Sequence, residues 1–305
     1  MTVSEIVMER SDGSILRGEI GLRTYGGSSR IERILIDGKD YLLKMPDIPK
    51  NEGYTDTSPS SEYLGCQILK SMGFAVQETE LVLFEDWYWD DERNFCRRKT
   101  AGCLCKDMGK VIELDRVLRN RLDIRKVRYP GFDYLDDYVR VLNFYECDIT
   151  NEEFRKFYYR LFTADALIGN TSRHNGNIGL LLDENYNASL SPVYDCGASF
   201  FPYQNDEWYE ERNRDSELLY STVSSIRSAV CEEGKKKMNY IDAFSSQSEV
   251  TAVLKDMVKK TDLNVIQNII ETTPFISKAK REFCQNMVNM IYDRILLPAV
   301  QRGNI

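Results

Sequence analysis

Over about the first hundred positions, the apolar residues fall in short strand-like blocks separated by polar turns. Arg33–Ile36 and Tyr41–Lys44 flank Asp37-Gly38, and Asp-Gly between two such blocks predicts a hairpin closed by a tight turn. A helix is predicted from Pro59. Ser58 suits its cap, Pro59 the first helical position and Gly73 the residue past its end, while Leu64, Ile68 and Leu69 supply the apolar stripe. Thr79–Phe84 and Gly102–Lys106 read as two further strands, joined through the aromatic and charged stretch Trp87–Lys99. Together these elements make a small sheet with one helix.

After about Met108 the spacing becomes helical. Phe154, Phe157, Tyr158, Leu161, Phe162, Ala164, Leu167 and Ile168 give a helix over 154–168 with a broad buried face. Gly169–Asn177 breaks it, and Ile178–Leu182 with Ala188–Val193 reads as a short hairpin. Tyr203–Asp215 reads as a loop. Helices are expected from Ser216 onward, including Val250–Lys260, Leu263–Glu271 and Ser277–Leu297. The fold class is therefore α+β with two lobes: residues 1–108 as a β-rich lobe, residues 109–305 as a mostly helical one, and a ligand cleft between them.

Charge narrows the partners. The chain has 305 residues, with 40 Lys and Arg against 48 Asp and Glu, a net charge of −8. Such an acidic balance argues against a nucleic-acid or membrane-surface coat, so no direct DNA binding and no membrane association are expected. A hydrophobic share of 42% excludes a disordered chain. The eight cysteines include no Cys-x-x-Cys, although Cys103 and Cys105 would share one face of a strand. The start of the chain has no basic segment followed by an apolar run, and Ile291–Val300, among the longest apolar runs, is interrupted by charge. A cytoplasmic protein with reduced thiols is expected. There is one histidine, His174, which excludes a zinc site built on two.

That histidine lies in the informative stretch, Gly169-Asn170-Thr171-Ser172-Arg173-His174-Asn175-Gly176-Asn177, with Asp195-Cys196-Gly197 beginning 18 residues after Asn177. A loop, a short hairpin and then Asp-x-Gly is the layout by which kinases assemble a metal–phosphate site. An Asn and an Asp supply hard oxygen ligands for magnesium (Mg2+), which needs few protein ligands when ATP phosphates complete its shell. Lys44 ends a predicted strand where a cation would reach phosphates. Gly26, Gly27, Ser28 and Ser29 precede that hairpin, and their backbone N–H groups would approach phosphate oxygens. Taken singly, each of these has an ordinary reading. His174 would be a structural histidine, Gly26-Gly27 a turn lacking the fuller Gly-x-Gly-x-x-Gly, Lys44 an exposed strand-end lysine, and Asp195-x-Gly197 a common turn. Their order and spacing carry the reading.

The loop resembles that of the HipA-like serine/threonine kinases, which commonly reads Gly-Asn-x-Asp-Arg-His-Asn-Gly-Asn followed by Pro-x-Tyr-Asp. The resemblance extends over Tyr25–Ser28, Lys44-Met45-Pro46, Ser61–Gly65, Cys105–Asp107, Ser228–Val230 and Asn239-Tyr240. It implies a bilobal protein-kinase-like fold, in the short form that lacks the additional N-terminal subdomain of full-length HipA proteins. It also implies ATP and Mg2+ as cofactors. Lys44 resembles the ATP-contacting lysine, and Cys105, Lys106 and Met108 lie in the stretch that resembles the hinge whose backbone bonds adenine. Asn177 and Asp195 resemble the metal ligands. Glu62 matches, by position, the helix glutamate that pairs with the lysine. His174 is given a loop-orienting role, bonding backbone near Asp195. Ser28 and Ser29 are candidate autophosphorylation sites, with plain turn residues as the equal alternative. The implied substrate is a protein hydroxyl, and family members include toxins acting on translation components and paired with antitoxins. Phosphatidylinositol kinases share the shorter Asp-Arg-His-x-x-Asn signature, which makes a lipid kinase the related alternative.

One departure outweighs the matches. The family's catalytic aspartate, five residues before the metal-binding asparagine, falls at Ser172. A serine hydroxyl has no useful basicity near neutral pH, and general-base catalysis contributes a factor of roughly 10²–10⁴. Intact Mg-ATP binding with reduced or lost transfer is expected. A natural pseudokinase acting as a nucleotide-binding scaffold, a deliberately inactivated variant and an enzyme with another base all remain open. Asp165 lies too far back on its helix to substitute. The basic run from Arg116 to Arg128 reads as a solvated helix face, or more sharply as a docking surface.

Overall fold

The computed structural model describes residues 5–24, 30–48, 55–90, 92–121, 135–232, 236–246 and 248–302. The expected glycine-loop residues Gly26, Gly27, Ser28 and Ser29 lie outside them, as do Arg125, Lys126 and Arg128 of the basic run.

Six strands form a closed barrel: β1 (Glu5–Glu9), β2 (Ile15–Thr24), β3 (Arg30–Ile36), β4 (Lys39–Met45), β5 (Thr79–Trp89) and β6 (Phe95–Lys106), in the order β1-β2-β3-β4-β6-β5. The predicted β3–β4 hairpin is present. Its two turn residues, Asp37 and Gly38, both have positive φ (49° and 73°), the geometry that matches strand twist. Strand alternation sorts the side chains. Ile34, Ile36, Leu43, Val82, Phe84 and Leu104 fill the barrel with Met8 and Leu16. Lys44 and Leu42, paired across the ladder with Cys103 and Cys105, take the opposite face. The two thiols lie there 3.8 Å apart, both buried.

Two strand limits differ from the sequence expectation. The stretch 87–99 is no connector but the outer half of the β5–β6 hairpin, whose register runs unbroken to Trp89 opposite Phe95. Trp87 stacks on Phe95 with ring centroids 5.3 Å apart, and Trp89 sits 5.0 Å from the same ring. Cross-strand aromatic pairs of this kind stabilise a hairpin that has no apolar alternation to announce it.

The helix α1 (Ser58–Ser71) follows β4, one residue earlier than predicted, with Thr57 rather than Ser58 at the cap position. Its buried Leu64, Cys66, Ile68 and Leu69 belong to the same core as the C-terminal helices. Beyond β6 come β7 (Lys110–Glu113), α2 (Leu114–Arg121), α3 (Leu135–Phe144) and α4 (Asn151–Ile168). The last is fixed by a Thr150/Glu153 capping box and ends on Gly169 at φ 63°. The predicted hairpin is β8 (Gly179–Leu182) and β9 (Ala188–Leu190), and β7 adds a third strand to it.

The segment read as a loop contains α5 (Asp206–Arg214). It is so polar that no apolar period shows, yet Asn205 caps it and Tyr209 is buried. After α6 (Ser216–Ser224), the hairpin β10 (Arg227–Glu232) and β11 (Lys236–Asn239) interrupts the expected run of helices. Then come α7 (Tyr240–Ser246), α8 (Ser248–Lys260), α9 (Leu263–Thr272) and α10 (Lys278–Ile291). A π-helical turn, Tyr292–Leu296, leads into α11 (Leu297–Arg302). No helix among the described residues is long and apolar enough to cross a membrane.

A buried carboxylate braces the barrel. Asp86 on β5 is 3% exposed and accepts two bonds from Arg30 (2.8 and 2.9 Å) and one from Arg98 Nε (3.0 Å). Burial pushes its pKa up, but the bonds and charges of the two arginines outweigh this and hold it below the ordinary carboxylate value. A depressed pKa contributes stability above the unfolded value that is lost as pH falls through the folded one. Asp86→Asn leaves two arginines without their partner and should cost about 3 kcal/mol in chemical denaturation, the low end for a broken buried pair because both arginines keep some water contact. The variant should also lose the stability component that titrates in the wild type below the ordinary aspartate range.

Candidate active site

The site forms where the outer face of β4, the second turn of α1 and the loop after β9 converge. Lys44 Nζ lies 3.0 Å from Glu62 Oε2 and 2.8 Å from Asp195 Oδ1. Glu62 is fully buried, and its Oε1 accepts the Asp195 backbone N–H at 3.0 Å. One lysine and one glutamate therefore tie the barrel, α1 and the Asp195 loop together. Burial presses the Lys44 pKa down, but the two carboxylates outweigh it and hold the ammonium well above its usual range. Asp195 moves the other way: burial raises it, the Lys44 charge and hydrogen bond lower it further, and the net shift is downward. Burial pushes Glu62 up. Asp195 adopts φ 58°, and its side chain, 43% exposed, forms the open side of the cluster.

Close backbone approach is needed to seat α1 here. A Cβ on Gly65 would stand 2.7 Å from Cys196 Cβ, and one on Gly197 would meet Glu62 Oε2 at 3.3 Å. A cavity of about 100 Å³ opens beside the cluster, and Lys44, Glu62, Ser172, His174, Asp195 and Tyr203 are among its lining residues.

The expected hinge residues are committed to different degrees. Cys105 sits inside the ladder between Leu42 and Thr79. The Lys106 N–H donates to the Glu78 carbonyl (2.9 Å), its carbonyl accepts from Gln77 Nε2 (2.9 Å), and its side chain pairs outward with Glu78 (2.8 Å). Asp107 N–H donates to the Asp40 carbonyl at 3.0 Å. The hydrogen bonds among the described residues engage neither the Met108 peptide groups nor the Asp107 carbonyl.

The loop that carries Ser172 is organised by a residue the sequence reading passed over. Arg173 is 5% exposed, and its guanidinium grips Asp165 through Nε–Oδ2 (3.0 Å) and Nη2–Oδ1 (3.1 Å). It also donates to the Tyr194 carbonyl, to the Asn177 carbonyl (3.4 Å) and to Cys196 Sγ (3.3 Å). Burial lowers its pKa, and the Asp165 charge more than restores it. Arg173 therefore makes a backbone bond beside Asp195, through the Tyr194 carbonyl. His174 Nδ1 accepts the Gly176 N–H at 3.1 Å, inside the same loop, where Tyr194 Oη donates to the Gly176 carbonyl at 2.9 Å. The Ser172 carbonyl accepts from Asn177 Nδ2 and from His174 N–H, both at 2.8 Å, and its N–H donates to Asn170 Oδ1 at 3.0 Å. Asp165 holds Asn170 as well, at 2.9 Å. Its carboxylate is consumed by the brace.

Arg173→Lys keeps the charge but loses the fork that reaches Asp165, Tyr194 and Asn177 together. It should lower unfolding stability by about 3 kcal/mol or more, because Asp165 stays buried with a poorer partner. Asp165→Asn with Arg173→Met should recover part of that loss. A single variant within about 1 kcal/mol of wild type would remove the guanidinium from this role.

The HipA-like C-terminal domain family matches residues 30–265. The serine/threonine-protein kinase CtkA of Helicobacter pylori strain J99 is 28% identical over 266 residues, 84% of this chain and 77% of that protein. The crystal structure of the proinflammatory kinase CtkA of H. pylori superposes with a TM-score of 0.76 at 24% identity, covering 94% of this chain and 96% of that one. HipA of Shewanella oneidensis MR-1, solved with HipB and operator DNA, gives a TM-score of 0.51 at 12% identity, over 92% of this chain and 65% of that one. These structural likenesses show a kinase-type fold, with a β-rich N-terminal region and a helical C-terminal part, and the sequence match over most of its length shows that the chain belongs to the HipA-like C-terminal domain family.

Proposed function

We propose that this protein is a HipA-like serine/threonine kinase fold that binds Mg-ATP between barrel and helices and transfers the γ-phosphate to a protein hydroxyl only weakly. The observation that carries the binding half is the Lys44 ammonium held between Glu62 and Asp195. Positioned on a strand beside an open carboxylate, it suits the α- and β-phosphates of ATP, and Mg-ATP would draw Asp195 from the lysine to the metal. The donor set fits magnesium. Asp195 presents a half-open carboxylate, and the Asn177 amide nitrogen is engaged by the Ser172 carbonyl, so its oxygen is left for another partner. Such an ion would complete its shell from phosphate and water. When bound, Mg2+ would supply charge neutralisation at the transferring phosphate. The unengaged Met108 peptide is the group of the expected hinge that would bond adenine.

The transfer half rests on Ser172. It lines the cavity at the position where the family carries its aspartate, and its hydroxyl would orient the substrate hydroxyl by hydrogen bonding without accepting its proton. Asp165 cannot step in while it holds Arg173 and Asn170. The same two observations favour the second reading, a nucleotide-binding scaffold with no transfer. CtkA, named a serine/threonine-protein kinase, supports a protein hydroxyl rather than a lipid as acceptor. A translation component as that substrate and an antitoxin-type partner are the family-level proposals, the latter supported by the HipA–HipB neighbour.

The test is incubation with γ-labelled ATP and Mg2+, wild type beside Ser172→Asp, scoring label on the protein and on a generic protein substrate. Ser172→Asp should raise transfer by roughly 10²–10⁴. A wild type already as active as Ser172→Asp would show that another base operates. Absence of label with both forms would leave the scaffold reading in place of the kinase.

A further inference from the structure

The C-terminal helices contain a buried cation that the active site does not use. Lys280, in the first turn of α10, is 1% exposed. Its Nζ bonds Thr57 Oγ1 (2.6 Å), the Thr57 carbonyl (3.2 Å), Ser60 Oγ (3.0 Å) and Ser61 Oγ (3.0 Å). All four acceptors belong to the cap and first turn of α1, and none is a carboxylate. The carboxylates facing this site are engaged elsewhere. Asp56 accepts the N–H groups of Ser58 (2.8 Å) and Asp47 (2.6 Å), and Asp206 accepts the Ser277 hydroxyl (2.6 Å).

This arrangement is costly for stability. An ammonium is desolvated at the positive end of a helix, and it takes up the hydroxyl of Thr57, which stands at the cap position of α1 and makes no cap bond. Burial lowers the Lys280 pKa to about 8, against the pull of Cys284, Asp56 and Asp206. What the contact provides is location. Thr57, held by Lys280, donates both its N–H and its hydroxyl to the Pro202 carbonyl at 2.8 Å, on the chain that continues from Asp195. One residue after Ser61 comes Glu62, which receives the Asp195 N–H and pairs with Lys44.

We propose that Lys280 is a positioning residue: it bolts the first turn of α1 to the helical region so that Glu62 is presented to Lys44 at a fixed place. The helix that carries the glutamate then belongs mechanically to the C-terminal part, with which it shares its core, and the barrel closes onto it. This rests on the nucleotide-binding reading above.

The experiment compares wild type with Lys280→Met, which fills the same space without charge. Three quantities are read: melting temperature without nucleotide, hydrogen exchange of α1 against α4, and Mg-ATP affinity by calorimetry. Removing a desolvated charge should leave the melting temperature within ~4 °C of wild type or raise it. The α1 amides should exchange at least ~10-fold faster while α4 stays unchanged, and Mg-ATP should bind ~10-fold more weakly. Unaltered α1 exchange and unaltered affinity in Lys280→Met would overturn the proposal. A uniform rise in exchange over α1 and α4 would mean a general packing role and would also overturn it. If Lys280→Met does not fold, Ser60→Ala with Ser61→Ala, which removes two acceptors and keeps the lysine, decides by the same readings. If the wild type itself fails to bind Mg-ATP, the nucleotide reading falls, and the exchange of α1 alone judges the anchor.

Discussion

The pairing of Lys44 with two carboxylates is the constraint on which the rest of the site depends. A lysine on the outer face of a barrel strand would ordinarily extend into water. Here it is 15% exposed and lies between a buried glutamate and a half-open aspartate. Three elements distant in sequence must be placed within a few tenths of an ångström for that to occur, because a buried charge without its partner is among the more expensive defects a fold can carry. The closed barrel fixes Lys44, α1 fixes Glu62, and the Asp195 loop, in a left-handed backbone conformation at Asp195, brings the second carboxylate. The asymmetry is chemically useful. Glu62 is enclosed and committed, whereas Asp195 faces the cavity and, in the proposed reading, would exchange its lysine for the magnesium ion.

Behind this cluster, two buried cations hold the frame. Arg173 works within the loop, joining the end of α4 to the backbone on either side of the hairpin β8–β9 through one planar group with several donors in fixed directions. Lys280 works between helices, joining α10 to the start of α1. One is paired with a carboxylate and the other is not, and the difference follows from what each must reach: Asp165 and several carbonyls in the first case, a row of hydroxyls in the second. The Asp165–Arg173 brace also bears on the chemistry. With its oxygens bound to Arg173 and Asn170, Asp165 is committed to the loop, and the proposed kinase would have a serine hydroxyl where the family carries its base.

Much of this was legible in the sequence, for identifiable reasons. The β3–β4 hairpin was visible because Asp37-Gly38 has few other uses between apolar blocks. The α4 helix was visible because its buried face is broad, and a candidate site could be named because Ser172, Asn177 and Asp195 lie close together in one segment. What escaped depended on contacts that local pattern does not encode. The α5 helix is polar almost throughout and is held by Asn205 and one buried tyrosine. The outer β5–β6 hairpin is stabilised by aromatic rings stacking across strands. Arg173 sat inside the motif but was given no role, since its partner Asp165 is eight positions back and on a helix. Lys280 did leave a trace. It occupies a core position in a pattern that continues through Phe283, Cys284 and Met287, and a lysine there signals a buried cation with polar partners elsewhere in the chain.

The central claim is that the nucleotide site is intact although the base is missing. It is tested most directly by calorimetric titration of ATP into the wild type and Lys44→Met, each with and without Mg2+. Binding by the wild type that requires Mg2+ and weakens by about tenfold or more in Lys44→Met, a loss of roughly 1.4 kcal/mol, is the expected result. A wild type that takes up no ATP, or one whose affinity is indifferent to both the metal and Lys44, would contradict it.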